Sequence, residues 1–248
     1  MISVRKRVGL ISLACALLLA GCGREDGALR MVTEASYPPY EFLRGREVVG
    51  VDVEVCRAVA EKVGKPLKVL NVDFDAVIAA VVSGKADLAA AGLTVTEDRK
   101  RSVDFSDPYL TTGLVVIYRK ADPVLSGAAC KGKRVGVQGG TTSDEYVVRE
   151  LHAEPERYRS DAEAVVALKG GRCDVVICDL VLARNCIRGM PELALSDPIT
   201  TEEYAIAVRK GRPDLLRAIN ETLRAVRSDG RLDRWMAHYA AEADKIRE

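Results

Sequence analysis

The chain has 248 residues, of which 48% are hydrophobic, 29% charged and 5% aromatic. That composition excludes a disordered or collagen-like chain, and the length allows one large domain or two lobes of about a hundred residues each. Lys+Arg is 37 against 36 Asp+Glu, a formal net charge of +1, so there is no strong electrostatic footprint for nucleic acid.

The first stretch reads as a targeting signal. Arg5, Lys6 and Arg7 precede an apolar run of 12 residues, Gly9 to Ala20. The run is too short for a bilayer core, which needs about 20 residues, but it has the length and basic flank of a secretory signal. It ends in Leu19-Ala20-Gly21-Cys22, which resembles a bacterial lipobox. That resemblance implies cleavage before Cys22 and a lipid on its thiol; the alternative is a plain signal peptide with an incidental cysteine. Residues 1–21 carry three basic and no acidic residues, so the remainder has 34 basic against 36 acidic side chains, a net of −2. Residues 22–28 are polar and Gly-containing, a short tether.

Leu29–Thr33 then reads as a strand. Val51, Val55, Val59 and Val63 recur at helical spacing within Gly50–Val63, closed by Gly64 and Pro66. A short strand is expected over Leu67–Leu70, a helix over Asp75–Ser83 ended by Gly84, and a small-residue strand over Leu88–Ala91. Thr96 opens another helix with Glu97 and Asp98 in its first turn, where acidic residues suit the positive helix end. Leu114–Tyr118 and Lys131–Val137 read as strands. Thr142-Ser143-Asp144-Glu145 has capping-box spacing. Asp161–Leu168 is a helix, Val175–Cys178 a strand, Leu180–Cys186 a helix and Tyr204–Val208 a strand, followed from Pro213 by one or two terminal helices. Alternating short strands and helices predict an α/β protein with largely parallel sheets.

Of the seven cysteines, Cys15 lies in the signal and Cys22 is the lipid candidate. Cys56, Cys130, Cys173, Cys178 and Cys186 show no C-x-x-C pair or accompanying His set, so no metal site is expected. Cys173 and Cys178 flank a strand, about 16 Å apart when extended, and cannot pair with each other. Buried, small-hydrophobe cysteines are expected, with at most one or two bridges.

One element occurs twice. Gly84-Lys85-Ala86-Asp87-Leu88 leaves a helix and enters a strand, and Gly171-Arg172-Cys173-Asp174-Val175 does the same 87 positions later. This is either recurrent loop chemistry or the mark of two lobes built alike. On the second reading, the strands ending in Arg119-Lys120 and Arg209-Lys210 are crossings between the lobes, and two crossings make a hinge. The expected division is lobe 1 over 29–117, hinge and lobe 2 over 118–206, and a return to lobe 1 over 207–248. A cleft between lobes is a natural place to bury a small ligand.

Catalytic signatures are absent: His152 and His238 sit in no G-x-S-x-G or H-E-x-x-H arrangement. Binding chemistry is better represented. Gly92-Leu93-Thr94 followed by Arg99 puts a close-approach glycine, a hydroxyl and a planar cationic fork at a strand end, suited to a carboxylate. Gly136-Val137-Gln138-Gly139-Gly140-Thr141-Thr142 offers backbone N–H groups and hydroxyls at a helix start. Glu34, Tyr37 and Tyr40, with Pro38 and Pro39, form a rigid wall after the first strand, and Phe74 follows the next strand on the same sheet edge, where α/β proteins bind ligands. Asp179 directly follows the strand Val175–Cys178; it suits an ammonium group, or else caps Leu180–Cys186.

Taken together, Tyr37-Pro38-Pro39-Tyr40-Glu41-Phe42, Gly50-Val51-Asp52-Val53-Glu54, Ala91-Gly92-Leu93-Thr94 through Arg99, Val103-Asp104-Phe105-Ser106 and Gln138-Gly139-Gly140-Thr141-Thr142 resemble the polar amino-acid-binding proteins of ATP-driven (ABC) importers, the bacterial extracellular solute-binding proteins of family 3. The resemblance covers about residues 29–240. It implies a bilobal periplasmic-binding-protein fold (type II), two α/β lobes joined by a two-strand hinge. It implies a monomer that binds an amino acid and docks on an ABC permease, with no cofactor and no catalytic residue. In that family pattern Arg99 clamps the ligand carboxylate with Thr94 and the Thr142 backbone, and Asp179 and the Gly92 carbonyl take the ammonium. Tyr37 and Phe74 sandwich the side chain, and Glu34 and Gln138 read its polar end; Ala91 and Thr141 belong to the same site. Glu34 between aromatic walls suits arginine or lysine through charge pairing and cation–π contact, and it also suits a glutamine amide. Two rivals share the fold: a cyclohexadienyl-dehydratase-like enzyme, for which Glu34 is the candidate acid or base, and the sensor domain of a receptor.

Overall fold

The computed structural model describes residues 27–245. The expected signal peptide over 1–21, the lipid candidate Cys22 and all but the last two residues of the expected tether lie outside the described residues. No described helix is long and apolar enough to cross a membrane.

The chain opens with β1 (Leu29–Thr33), then a small antiparallel sheet of β2 (Ser36–Tyr37), β3 (Glu41–Arg44) and β4 (Glu47–Val49). Helix α1 (Val51–Lys62) buries Val51, Val55 and Val59, as the four-residue spacing requires. It starts at Gly50, where φ is +134° and an added Cβ would lie 2.1 Å from the Tyr40 carbonyl oxygen, so only glycine fits. After β5 (Leu67–Asn71), Phe74–Ala76 form a 3₁₀ turn and α2 (Val77–Val82) follows, so the helix expected from Asp75 is α-helical only from Val77. Then come β6 (Leu88–Ala89), α3 (Glu97–Lys100), β7 (Val103–Phe105) and β8 (Leu110–Thr112).

The second lobe runs β9 (Leu114–Arg119), β10 (Val135–Gln138), α4 (Thr142–Arg149), β11 (Glu156–Tyr158), α5 (Asp161–Lys169), β12 (Val175–Asp179), α6 (Leu180–Cys186) and β13 (Leu193–Leu195). The chain returns through β14 (Glu202–Tyr204) to β15 (Ala207–Arg209), α7 (Pro213–Ser228) and α8 (Arg231–Lys245).

Two five-stranded sheets result, ordered β5-β1-β6-β15-β7 and β11-β10-β12-β9-β13. In each, one strand runs against the rest: β15 in the first, β9 in the second. The orders superimpose position by position, so the lobes share one plan. The repeated sequence element explains part of this. Asp87 accepts a hydrogen bond from the Arg30 N–H at 3.0 Å and Asp174 accepts one from the Arg134 N–H at 2.9 Å. Each Asp thus ties the entry of its own strand to the neighbouring strand, at the same place in each lobe. Strand alternation loads both faces of each sheet. Met31, Leu88 and Val208 pack under α1 and α7, while Val32, Ala89 and Ala207 pack against α2. Leu114, Val116, Val175 and Ile177 lie with Val147 of α4, while Val115, Ile117, Val176 and Cys178 meet α5 and α6.

Several expectations need correction. Leu114–Arg119 lies wholly in the second sheet and Ala207–Arg209 in the first, so neither Arg-Lys pair marks a crossing; β9 and β15 are the equivalent reversed strands of the two lobes. The crossings come earlier, at β8 and β14, which pair antiparallel with Thr112 opposite Glu202 and Leu110 opposite Tyr204. Lobe 1 therefore ends before residue 113 rather than at 117, and the return passes through 202–204. Tyr204–Val208 is split because the chain changes sheets there, with Ala205 N–H on the Leu93 carbonyl and Ile206 N–H on the Ser106 hydroxyl. Lys131–Arg134 is turn, and the strand starts at Val135. The cap of α4 is Thr141, whose hydroxyl accepts from Asp144 N–H, which leaves the Thr142 hydroxyl for another partner. None of the five described cysteines is in a disulfide, and four are buried.

Candidate ligand-binding site

The strand ends of both sheets face each other across the cleft. Between them lies a cavity whose empty space, counting that at its mouth, is about 470 Å³. All eleven residues that the sequence nominates for the ligand line it.

Arg99 sits in the single turn of α3, positioned by Thr96, whose hydroxyl accepts from the Arg99 N–H at 3.2 Å. Its side chain is swung inward and the residue is 8% exposed. Nη1 donates to the Thr94 carbonyl at 2.9 Å and Nη2 to the Gly140 carbonyl of the other lobe at 3.2 Å, while Cζ stands 5.6 Å from the Phe74 ring centroid. Two of five guanidinium N–H groups are thus used. Among the described residues no carboxylate lies within ion-pair distance of it. Burial draws its pKa down, and Glu145 and Glu202 oppose that at longer range. A buried cation held only by neutral carbonyls and a ring is electrostatically under-compensated.

Asp179 is its counterpart in lobe 2. It closes β12 and caps α6, so both sequence readings of it describe the same residue: Oδ1 accepts from Val181 N–H at 2.8 Å and from the Tyr37 hydroxyl, and Oδ2 accepts from the Thr112 hydroxyl at 2.7 Å. All three donors are neutral and the residue is 7% exposed. Burial pushes the Tyr37 phenol well above its usual range, with Tyr204 and Asp179 adding to it, so Tyr37 remains a donor.

Gly92 has φ +52° and lies against the Tyr37 ring; a Cβ there would come within 2.6 Å of it. Its N–H donates to Asp52 at 3.3 Å, and Asp52 also accepts from the Tyr109 hydroxyl at 2.8 Å. Tyr37 packs edge-on against Tyr40 and Tyr204. At the other end, the Gln138 amide donates to both Glu34 oxygens at 2.9 and 3.1 Å. Burial raises the Glu34 pKa, and the Gln138 bond counteracts it.

Glu202 was not foreseen. From β14 it accepts from the Thr94 hydroxyl of lobe 1 at 2.7 Å and the Thr142 hydroxyl of lobe 2 at 3.0 Å. The Thr94 hydroxyl therefore serves this carboxylate. Burial raises the Glu202 pKa, and the two threonines and Arg99 pull it back. Nothing in Thr200-Thr201-Glu202-Glu203-Tyr204 distinguishes this glutamate from its neighbour; its place follows from the β8–β14 pairing. Asp161, Glu41, Ser36 and Tyr204 also line the cavity unannounced. His152 and His238 stand elsewhere, the latter 3.6 Å from Glu242 on α8. No cluster of metal-ligating side chains occurs among the described residues.

Further contacts join the lobes beyond the cavity: Asn185 Nδ2 donates to the Pro38 carbonyl at 2.6 Å, Arg159 meets Asp73 at 3.1 Å, and Arg149 and Arg188 pair with Asp98 and Asp244. The cavity walls are complete only when the lobes meet, which places the molecule in the class of bilobal receptors that close on a small solute. Comparison with known proteins makes this particular. Residues 29–242 match the model of the bacterial extracellular solute-binding proteins, family 3, and the chain belongs to that family. It is 33% identical to a probable histidine-binding protein of Neisseria gonorrhoeae, covering 93% of this chain and 94% of that one. It is 32% identical to the arginine-binding extracellular protein ArtP of Bacillus subtilis (strain 168), covering 93% and 96%. An ancestral arginine-binding protein solved with arginine superimposes with a TM-score of 0.79 at 36% identity, covering 86% of this chain and 98% of that one.

Proposed function

We propose that the protein captures a basic L-amino acid, arginine foremost, and hands it to an ABC permease as a monomer held at the outer face of the membrane by a lipid on Cys22. The observation that carries the ligand class is the pairing across the cavity: a buried guanidinium from lobe 1 and a buried carboxylate from lobe 2, neither with an opposite charge beside it. An α-amino acid presents a carboxylate and an ammonium a fixed short distance apart and supplies both partners at once. Closing around it removes the cost of leaving either charge uncompensated, so ligand shifts the open–closed population by differential affinity. In this reading Arg99 takes the carboxylate, Asp179 the ammonium, Tyr37 and Phe74 flank the side chain, and Glu34 and Gln138 meet its far end. Gly92, Ala91, Thr94, Thr141 and Thr142 shape the zwitterion end.

Preference for a basic ligand is supported by charge: five carboxylates and one guanidinium line the cavity. Most of the relatives' names point the same way, towards arginine and histidine, with L-cystine also among them. A binding rather than a turnover role is supported by the relatives, which are named as binding proteins. The Leu19-Ala20-Gly21-Cys22 sequence supports the lipid anchor. A thermal-shift screen over the twenty amino acids plus cystine and ornithine tests the ligand: arginine is expected to raise the melting temperature most, since a ligand of the native state must stabilise it. No shift from any of them would overturn the reading.

A further inference from the structure

The five carboxylates of the cavity wall are not equally supplied with donors. Asp179 accepts three hydrogen bonds, Glu202 two and Glu34 the Gln138 amide. Glu41 also has a buried oxygen, Oε2, without a partner, but the residue lies in hydrogen-bonding contact with a second carboxyl, Asp52, and a shared proton serves that contact. Asp161 differs. It is the first residue of α5, it is 5% exposed, and its Oδ1 is fully buried with no hydrogen-bond partner. The Gln138 backbone N–H serves Asp161 while the Gln138 amide serves Glu34, so one residue ties these two carboxylates to the same end of the cavity.

A purely structural role does not account for this. Ser160 already caps α5, its hydroxyl accepting from Glu163 N–H at 3.2 Å, and Glu163 supplies exposed negative charge in the first turn. A buried carboxylate oxygen without a donor is costly, and like charge from Glu34 and Asp179 adds to the cost. A cation with several N–H groups relieves both at once. A guanidinium offers five in a planar fork and an ammonium three, whereas a neutral amide offers two and no charge.

We infer that Asp161 is a specificity-determining residue, forming with Glu34 a two-carboxylate seat for the cationic end of a basic amino acid and so selecting against uncharged isosteres. The inference rests on the amino-acid-receptor reading above.

The test is titration calorimetry of the wild type and Asp161→Asn with L-arginine and with L-citrulline, which replaces the guanidinium by a neutral urea of the same shape. The wild type is expected to prefer arginine at least 100-fold. Asp161→Asn is expected to cut that preference at least tenfold through weaker arginine binding, with citrulline affinity within threefold. An unchanged preference would overturn the inference, and so would equal weakening of both ligands, the result of a merely structural role. A second readout needs no variant. Burial, with Glu34 from the loop after β1 and Asp179 at the end of β12, pushes Asp161 up to about 7 against the Gln138 N–H from β10. Arginine binding at pH 7 should therefore release protons and citrulline binding should not, as read from heats in two buffers of different ionisation enthalpy; equal release contradicts the assignment. Should the wild type bind neither compound nor any other amino acid, the receptor reading itself fails.

Discussion

The two lobes are the same sheet built twice, yet the segments that follow their equivalent central strands bring opposite charges to the cavity. Strands β6 and β12 occupy equivalent central places. Beyond the end of β6 the chain runs through Gly92 and Thr94 into the short turn that throws Arg99 inward. The end of β12 is Asp179 itself, followed at once by a helix that Asp179 caps. The scaffold supplies two converging edges; the few residues after each strand decide the sign of the charge there. On the proposed reading, a dipolar guest is gripped because the duplicated plan carries unlike ends.

If the lobes contribute unlike charges, removing each should cost affinity in a characteristic order. Arg99→Ala is expected to weaken amino-acid binding by about 3–5 kcal/mol, roughly 150- to 4,000-fold, because the ligand carboxylate is then buried without its partner. Calorimetry showing less than a tenfold loss would count against a carboxylate clamp on lobe 1. Asp179→Asn should cost less, about 2–3 kcal/mol, since an amide oxygen in place of Oδ1 still accepts from Tyr37 and Val181 N–H while the charge is lost and an NH2 group faces Thr112. An effect larger than that of Arg99→Ala would reverse the comparison.

Lobe 1 also carries a device for which lobe 2 has no counterpart: the Glu41–Asp52 pair behind Gly92. Burial raises Asp52 to about 6, with Tyr109, Glu41 and Gly92 as opposing donors. A carboxyl whose folded pKa exceeds its unfolded value holds extra protons when folded, so its stabilising effect is complete below about pH 4 and lost as the pH rises through 6. In ligand-free protein, the unfolding free energy is expected to fall between pH 4 and 7 by about 2 kcal/mol more in the wild type than in Asp52→Asn. Parallel pH profiles would exclude the shared proton. The smallest effect belongs to the rim. Arg159 and Asp73 meet across the cleft but are 77% and 70% exposed, so Arg159→Ala should change affinity by less than about threefold; a tenfold change would mean that closure depends on the rim rather than on the cavity.

The comparison also shows what a sequence exposes. The valine spacing of α1, the Gly-x-x-Asp repeat and the residues that line the cavity were legible because each is a local rule: helical period, loop chemistry, turn residues at a strand end. The lobe crossings were not. Arg119-Lys120 and Arg209-Lys210 end β9 and β15, equivalent reversed strands, so the pair of motifs marked the duplication and was misread as the hinge. The true crossings, β8 and β14, are three residues each, too short to show alternation. Glu202 and Asp161 escaped for a related reason. Their chemistry comes from what tertiary pairing brings beside them: Thr94 and Thr142 from separate lobes for Glu202, Gln138 and Glu34 for Asp161. Neither is signalled within its own stretch of chain.

The central claim, that opposite lobes hold opposite ends of one zwitterion, is tested most directly by trimming the ligand. Wild-type protein would be titrated with L-arginine, with agmatine, which lacks the carboxylate, and with 5-guanidinopentanoic acid, which lacks the ammonium. Each trimmed compound should bind at least 100-fold more weakly than arginine, and Arg99→Ala should no longer distinguish agmatine from arginine. Agmatine binding to the wild type as tightly as arginine would contradict the account.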